Sequence, residues 1–96
     1  MVAVAIVMDF KGATLDQYDR VVELMHLTPE GAGPGGSLFH WVAAKPDGIV
    51  VTDVWKSREE FEKFAQEQIG PHSQEAGFPA PPELTFYELH SYMSEG

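Results

Sequence analysis

Asp53 is the residue whose setting most clearly invites chemistry. It lies within the apolar strand Val51-Thr52-Asp53-Val54-Trp55, and the strand before it carries Phe39 and Trp41. The two strands flank Pro46-Asp47-Gly48. With Pro at the first turn position and Gly at a left-handed one, this reads as a three-residue hairpin loop closed by Lys45 and Ile49. That register pairs Trp41 with Asp53. Side chains alternate across a strand, so Phe39, Trp41 and Ala43 are expected to share a face with Ile49, Val51, Asp53 and Trp55, while His40 goes to the other face with Val54. A carboxylate in an apolar wall has its charged form disfavoured, which suits a general base. Its competing structural role is to pair with Arg58 or Lys11, or to accept backbone hydrogen bonds at the strand end.

The other candidates are His72, Tyr18 and the aromatic rings. His72 follows Gly70-Pro71 and is expected in a turn near a helix C-terminus, as a base or acid facing a pocket or as a solvated surface residue. Tyr18 falls on an inward helical stripe, where its hydroxyl meets either a ligand or a backbone carbonyl. Trp41 and Trp55, together with Phe39 and Phe64, either stack on a flat aromatic ligand or fill the core. His26 and His90 have no partner at ligand spacing. With no HxH, no HExxH and no cysteine, metal binding is not expected. The run Gly31-Ala32-Gly33-Pro34-Gly35-Gly36 lacks the Lys of a phosphate-binding loop, is interrupted by Pro and leads into a strand, so it reads as a flexible flap or a plain connection.

These residues need elements to hold them. Val2 to Phe10 is β-branched and apolar, which predicts a strand buried on both faces. Its apolar opening, Val2 to Met8, lacks the basic lead of a signal peptide, is too short for one and meets Asp9 and Lys11 at once. Thr14 and Gln17 form a capping box ahead of a stripe made by Leu15, Tyr18, Val21, Val22 and Met25. Thr28 to Ser37 is a Gly/Pro connection. After the hairpin, Ser57 and Glu60 cap a second helix with Phe61, Phe64, Ala65 and Gln68 or Ile69 inward, ended by Gly70-Pro71. A further helical turn can follow over Pro71 to Ala76, and a long strand is expected from about Glu83 to Met93.

The order β-α-β-β-α-β is the split βαβ, or ferredoxin-like, α+β motif: a four-stranded antiparallel sheet with two helices on one face. Residues 1–96 form one domain. The free sheet face, read as Leu38, Val42, Ala44, Val50, Thr52 and Val54, needs cover, and a homodimer packing sheet on sheet provides it. A net charge of −9 repels phosphate backbones and anionic lipid, so neither nucleic acid nor a membrane surface is an expected partner. A small neutral or cationic molecule fits better. The cytoplasm is the default location, and the absence of cysteine excludes thiolate chemistry.

Residues 51–61, Val-Thr-Asp-Val-Trp-Lys-Ser-Arg-Glu-Glu-Phe, resemble the third strand, Ser cap and acidic-aromatic helix start of the dimeric α/β-barrel superfamily. That superfamily includes antibiotic-biosynthesis monooxygenases and stress-responsive plant polyketide cyclases. The resemblance implies a cavity between sheet and helices lined by Trp55, with the Asp53 face as the pocket face. It also sets His72 beside a Pro-flanked cyclase base, while a second cyclase His has no match in the first strand. Haem-degrading and quinone-forming members rely on an Asn near the pocket, and this chain has no Asn. The resulting expectation is a cofactor-independent cyclase, isomerase or lyase acting on an aromatic or polyketide-like metabolite through Asp53 or His72. A non-catalytic binding or accessory protein is the alternative, and a cofactor-free monooxygenase stands third.

Overall fold

The computed structural model describes residues 3–27 and 33–93. Its strands are β1 (Val4–Lys11), β2 (Ser37–Lys45), β3 (Gly48–Trp55) and β4 (Glu83–Glu88), and its helices are α1 (Leu15–Leu24), α2 (Arg58–Phe64) and α3 (Gly70–Glu75). The strands make one antiparallel sheet in the order β2-β3-β1-β4. This is the expected ferredoxin-like α+β fold. The predicted Gly/Pro connection falls outside the described residues over 28–32, as does Val2 at the start of the predicted first strand.

Alternation in β1 decides which face is core. Val4, Ile6, Met8 and Phe10 are buried while Ala3, Ala5, Val7 and Asp9 are only partly so, which makes the strand one-sided rather than buried on both faces. The buried set packs with Ile49, Val51, Trp55 and Phe61, and Tyr18, Phe64, Ile69 and Phe78 close over it from the helical side. Fully burying a large apolar side chain contributes about 1.5–3 kcal/mol, so Trp55, Phe61, Ile6 and Ile49 anchor the layer between sheet and helices.

The helix starts follow from their caps. Thr14 Oγ1 accepts from the Gln17 backbone N–H at 3.1 Å and Gln17 Oε1 accepts from the Thr14 N–H at 3.0 Å, a complete capping box. Ser57 Oγ accepts from the Glu60 N–H at 3.2 Å, but the Glu60 carboxylate accepts from the Ser57 hydroxyl at 3.0 Å instead of from the Ser57 backbone N–H. Gly70-Pro71 does not end the second helix. A π turn over Ala65–Ile69, closed by the Gly70 N–H on the Ala65 carbonyl, widens the coil ahead of Pro71, so the missing proline N–H and its ring are accommodated and α3 continues. The true stop is Gly77, with φ +88°, in a Schellman motif: the Phe78 N–H reaches the Ser73 carbonyl and the Gly77 N–H reaches that of Gln74.

The hairpin differs from the predicted one by a single residue. Lys45 pairs with Gly48 and His40 with Asp53, so only Pro46 and Asp47 lie in the loop. The reason is local. Gly48 joins the ladder beside Lys11, and any Cβ on it would stand 2.1 Å from the Phe10 carbonyl oxygen, a close approach only glycine allows. The Asp47 carbonyl meanwhile accepts from the Gly12 N–H at 2.7 Å, pinning the loop to the end of β1. Lys45 holds Asp9 and Asp47 at 2.9 Å each. Its hydrogen bond keeps Asp47 below the usual carboxylate range.

A one-residue slip exchanges the faces of a strand. Val42 and His40 therefore belong to the helix side, and Phe39, Trp41 and Ala43 join Val50, Thr52 and Val54 on the outer face. The last strand is also shorter than predicted. It ends at Glu88, and one further ladder bond, from the Leu89 N–H to the Ala3 carbonyl, marks the limit of its pairing.

Candidate active site

Strand β3 delivers Asp53 and Trp55 to the helix-facing side, two residues apart, so both side chains point the same way. Asp53 is 4% exposed, and its carboxylate is fully partnered: Oδ1 meets His40 Nδ1 at 2.5 Å, and Oδ2 accepts from the Trp55 indole Nε1–H at 3.0 Å. His40 stands directly across the ladder from Asp53. On its far side His40 Nε2 meets the Tyr18 hydroxyl at 2.5 Å, brought from the inward stripe of α1.

The hydrogen-bond inventory assigns the protons. A carboxylate only accepts, so Nδ1 of His40 carries a proton toward Asp53, and whenever the ring is neutral Nε2 is left to accept the Tyr18 O–H. The result is a directed chain: Tyr18 to His40 to Asp53, with Trp55 fixing the carboxylate from the other side. Asp53 sets the tautomer and would stabilise an imidazolium if His40 took a proton. Burial, followed by the charges of Asp53 and Asp19, pushes the Tyr18 phenol up to about 12. Tyr18 therefore stays protonated near neutral pH and is not a standing tyrosinate.

Beside the chain lies an open cavity of about 400 Å³, bounded by Met25 and Leu27 after α1, by Pro34 and Gly35, by Trp55, and by Glu60, Lys63, Phe64, Glu67 and Gln68. Trp55 is the common wall: its indole edge holds Asp53 while its ring borders the cavity, packed on Phe64 at 5.1 Å and Phe61 at 5.8 Å between centroids. Gly36 lies against that ring, since a Cβ there would stand 3.1 Å from it.

Of the residues expected at a site, Asp53, Tyr18, Trp55 and Phe64 come together here. Trp41 and Phe39 sit on the outer face, 44% and 41% exposed. His72 is inside α3, with Nε2 bonded to Gln68 Oε1 at 3.0 Å and Nδ1 buried without a partner. His40 is the residue that sequence reasoning assigned elsewhere. The signal for it was present: a buried carboxylate needs donors, and His40 and Lys45 are the titratable side chains of β2. Among the described residues no cluster of metal-ligating side chains occurs, and no helix is long and apolar enough to cross a membrane.

Solved structures of similar fold include SnoaB, a cofactor-independent oxygenase from Streptomyces nogalater, which is 18% identical with a TM-score of 0.63 over 99% of this chain and 100% of that one. An antibiotic biosynthesis monooxygenase-like protein from Chloroflexus aurantiacus is 24% identical with a TM-score of 0.59, over 98% and 99% of the two chains. The monooxygenase ActVA-Orf6 of Streptomyces coelicolor, solved with nanaomycin D, is 20% identical with a TM-score of 0.51, over 99% and 93%. No protein-family model and no curated protein matches the chain. The chain has the fold of the antibiotic-biosynthesis-monooxygenase-like proteins, as the resemblance over residues 51–61 implies.

Proposed function

We propose that the protein is a cofactor-independent enzyme that binds a small aromatic or polyketide-like molecule between sheet and helices and begins its reaction by removing a proton from it. The Asp53–His40–Tyr18 chain carries this reading. A substrate O–H or acidic C–H would give its proton to the Tyr18 oxygen as Tyr18 passes its own to His40 Nε2, leaving a substrate anion and an imidazolium paired with Asp53. Returning the proton at another position completes an isomerisation; attack of the anion on an internal carbonyl completes a cyclisation. Oxygenation would begin with the same anion, and the fold neighbour SnoaB is a cofactor-independent oxygenase.

The test is deuterium exchange. β-Tetralone, a bicyclic ketone with acidic C–H bonds, should exchange in deuterium oxide faster with the protein than in buffer, and His40→Gln should remove on the order of a hundredfold of that acceleration. Exchange no faster than in buffer, or unaffected by His40→Gln, would overturn the proposal. Nanaomycin D, bound in the ActVA-Orf6 structure, is the matching probe of binding. A second reading, a non-catalytic binding or accessory protein, is favoured by one observation: the cavity meets the proton chain only through Trp55, so a ligand can fill it without touching His40. Ligand binding without exchange would select that reading.

The same proposal includes self-association. The outer face exposes Phe39, Trp41 and Tyr87 beside half-buried Val50, an apolar surface that a second copy would cover. A cytoplasmic location rests on composition alone.

A further inference from the structure

Among the described residues the cavity has one uncharged polar side chain in its lining, Gln68, and its amide oxygen is engaged by His72. Gln68 sits in the π turn, next to Phe64 and Glu67, which also border the cavity. One turn on, His72 Nε2 lies 3.0 Å from Gln68 Oε1. With the amide oxygen turned to the ring, as here, it accepts from a proton on His72 Nε2, and what remains of Gln68 for the cavity is its NH₂. The other ring nitrogen, Nδ1, is buried without a hydrogen-bond partner, with the Glu75 carboxylate 4.0 Å away. A buried nitrogen left unpartnered costs stability, so the orientation that bonds Gln68 is held at the expense of the other end of the ring.

We infer that Gln68 is the specificity residue of the cavity, donating its amide N–H to a neutral carbonyl oxygen of the ligand, and that His72 is its positioning residue. The charges at the cavity agree. Glu60 and Glu67 outnumber Lys63, which disfavours an anionic group there, so the acceptor that Gln68 reads is a ketone or quinone oxygen and not a carboxylate. The aromatic walls Trp55 and Phe64 hold the ring that carries it. In this arrangement Gln68 reads the carbonyl and Tyr18 takes the proton as it passes its own to His40, so His72 never touches the substrate. The inference rests on the proposed ligand class.

Juglone, a fused-ring quinone, and α-naphthol, the same ring pair with a hydroxyl and no carbonyl, are the probes, compared by titration calorimetry. The absence of cysteine keeps thiol addition to juglone out of the measurement. The parent protein should bind juglone more tightly than α-naphthol. Gln68→Ala should weaken juglone about three- to tenfold, the worth of one neutral hydrogen bond, and leave α-naphthol within about twofold. His72→Ala should weaken juglone selectively through loss of amide orientation, and His72→Gln, which keeps an N–H donor for Oε1, should restore part of it. Gln68→Ala that leaves the juglone to α-naphthol ratio unchanged would overturn the inference while the proposed function stands. A parent protein that binds neither probe would overturn the ligand class itself. Far-ultraviolet circular dichroism of each variant separates these results from loss of fold.

Discussion

Asp53→Asn is the substitution whose cost the structure sets most narrowly. The carboxylate serves two donors with two oxygens, His40 Nδ1–H at 2.5 Å and Trp55 Nε1–H at 3.0 Å, and it is nearly buried. An Asn side chain offers one oxygen and one NH₂, so with the oxygen kept by the Trp55 N–H the NH₂ either faces the His40 Nδ1–H or drives that proton to Nε2, where it faces the Tyr18 hydroxyl proton. Leaving a buried donor unsatisfied costs about 1–3 kcal/mol, and the surviving bond loses its charge assistance, worth roughly a further 1 kcal/mol. Relief of the carboxylate's desolvation offsets part of this, leaving about 2 kcal/mol. For a domain of this size each kcal/mol lowers Tm by about 4–8 °C, so a fall on the order of 10 °C is expected. The assay is urea unfolding followed by Trp55 fluorescence in a Trp41→Phe background, since Trp55 is buried and Trp41 is exposed. The midpoint should fall with an unchanged m value. A variant within about 0.5 kcal/mol of the parent would refute the pairing of both donors with one carboxylate.

Glu62→Gln is the control: it removes an ion pair with Arg58 that is 3.6 Å long and half exposed on both sides, so stability should change by less than about 0.5 kcal/mol. Gly48→Ala sets a methyl against the Phe10 carbonyl and should cost more than about 4 kcal/mol, read as lost soluble expression or a collapsed Tm. In a Tyr87→Phe, Tyr92→Phe protein, where Tyr18 is the one remaining tyrosine, ultraviolet titration should show the phenol raised to about 12, above the ordinary value near 10. An acid whose folded value is raised contributes stability that is intact below the ordinary phenol value near 10, so stability should decline as pH climbs from there toward about 12. Trp41→Glu should shift sedimentation from dimer to monomer without altering exchange from β-tetralone, because Trp41 lies on the face opposite Asp53.

The sequence made the element order legible because each helix announces its own start. Thr14 with Gln17, and Ser57 ahead of Glu60, are local hydrogen bonds that need no tertiary information. The burial of Asp53 beside Trp55 was legible for a similar reason: two residues on one strand share a face whatever their partner does. The position of His40 was not, because it depends on the hairpin register. Val50, Thr52 and Val54 alternate with Ile49 and Val51, so both faces of β3 are apolar enough to accept either register. The loop length was settled by a contact from β1, the Phe10 carbonyl against Gly48, which hairpin residues alone do not reveal. The continuation past Pro71 was hidden in the same way, since a π turn has no residue signature and Pro usually ends a helix.

The proton on His40 Nδ1 is what joins Tyr18 to Asp53. Nitrogen-15 NMR of the histidine rings reads it directly: the neutral Nδ1–H tautomer is predicted for His40, with a strongly hydrogen-bonded Nδ1 proton shifted far downfield and lost in Asp53→Asn. A His40 ring in the Nε2–H tautomer, or one whose Nδ1 proton exchanges freely with water, would contradict the chain from Tyr18 to Asp53 and the function built on it.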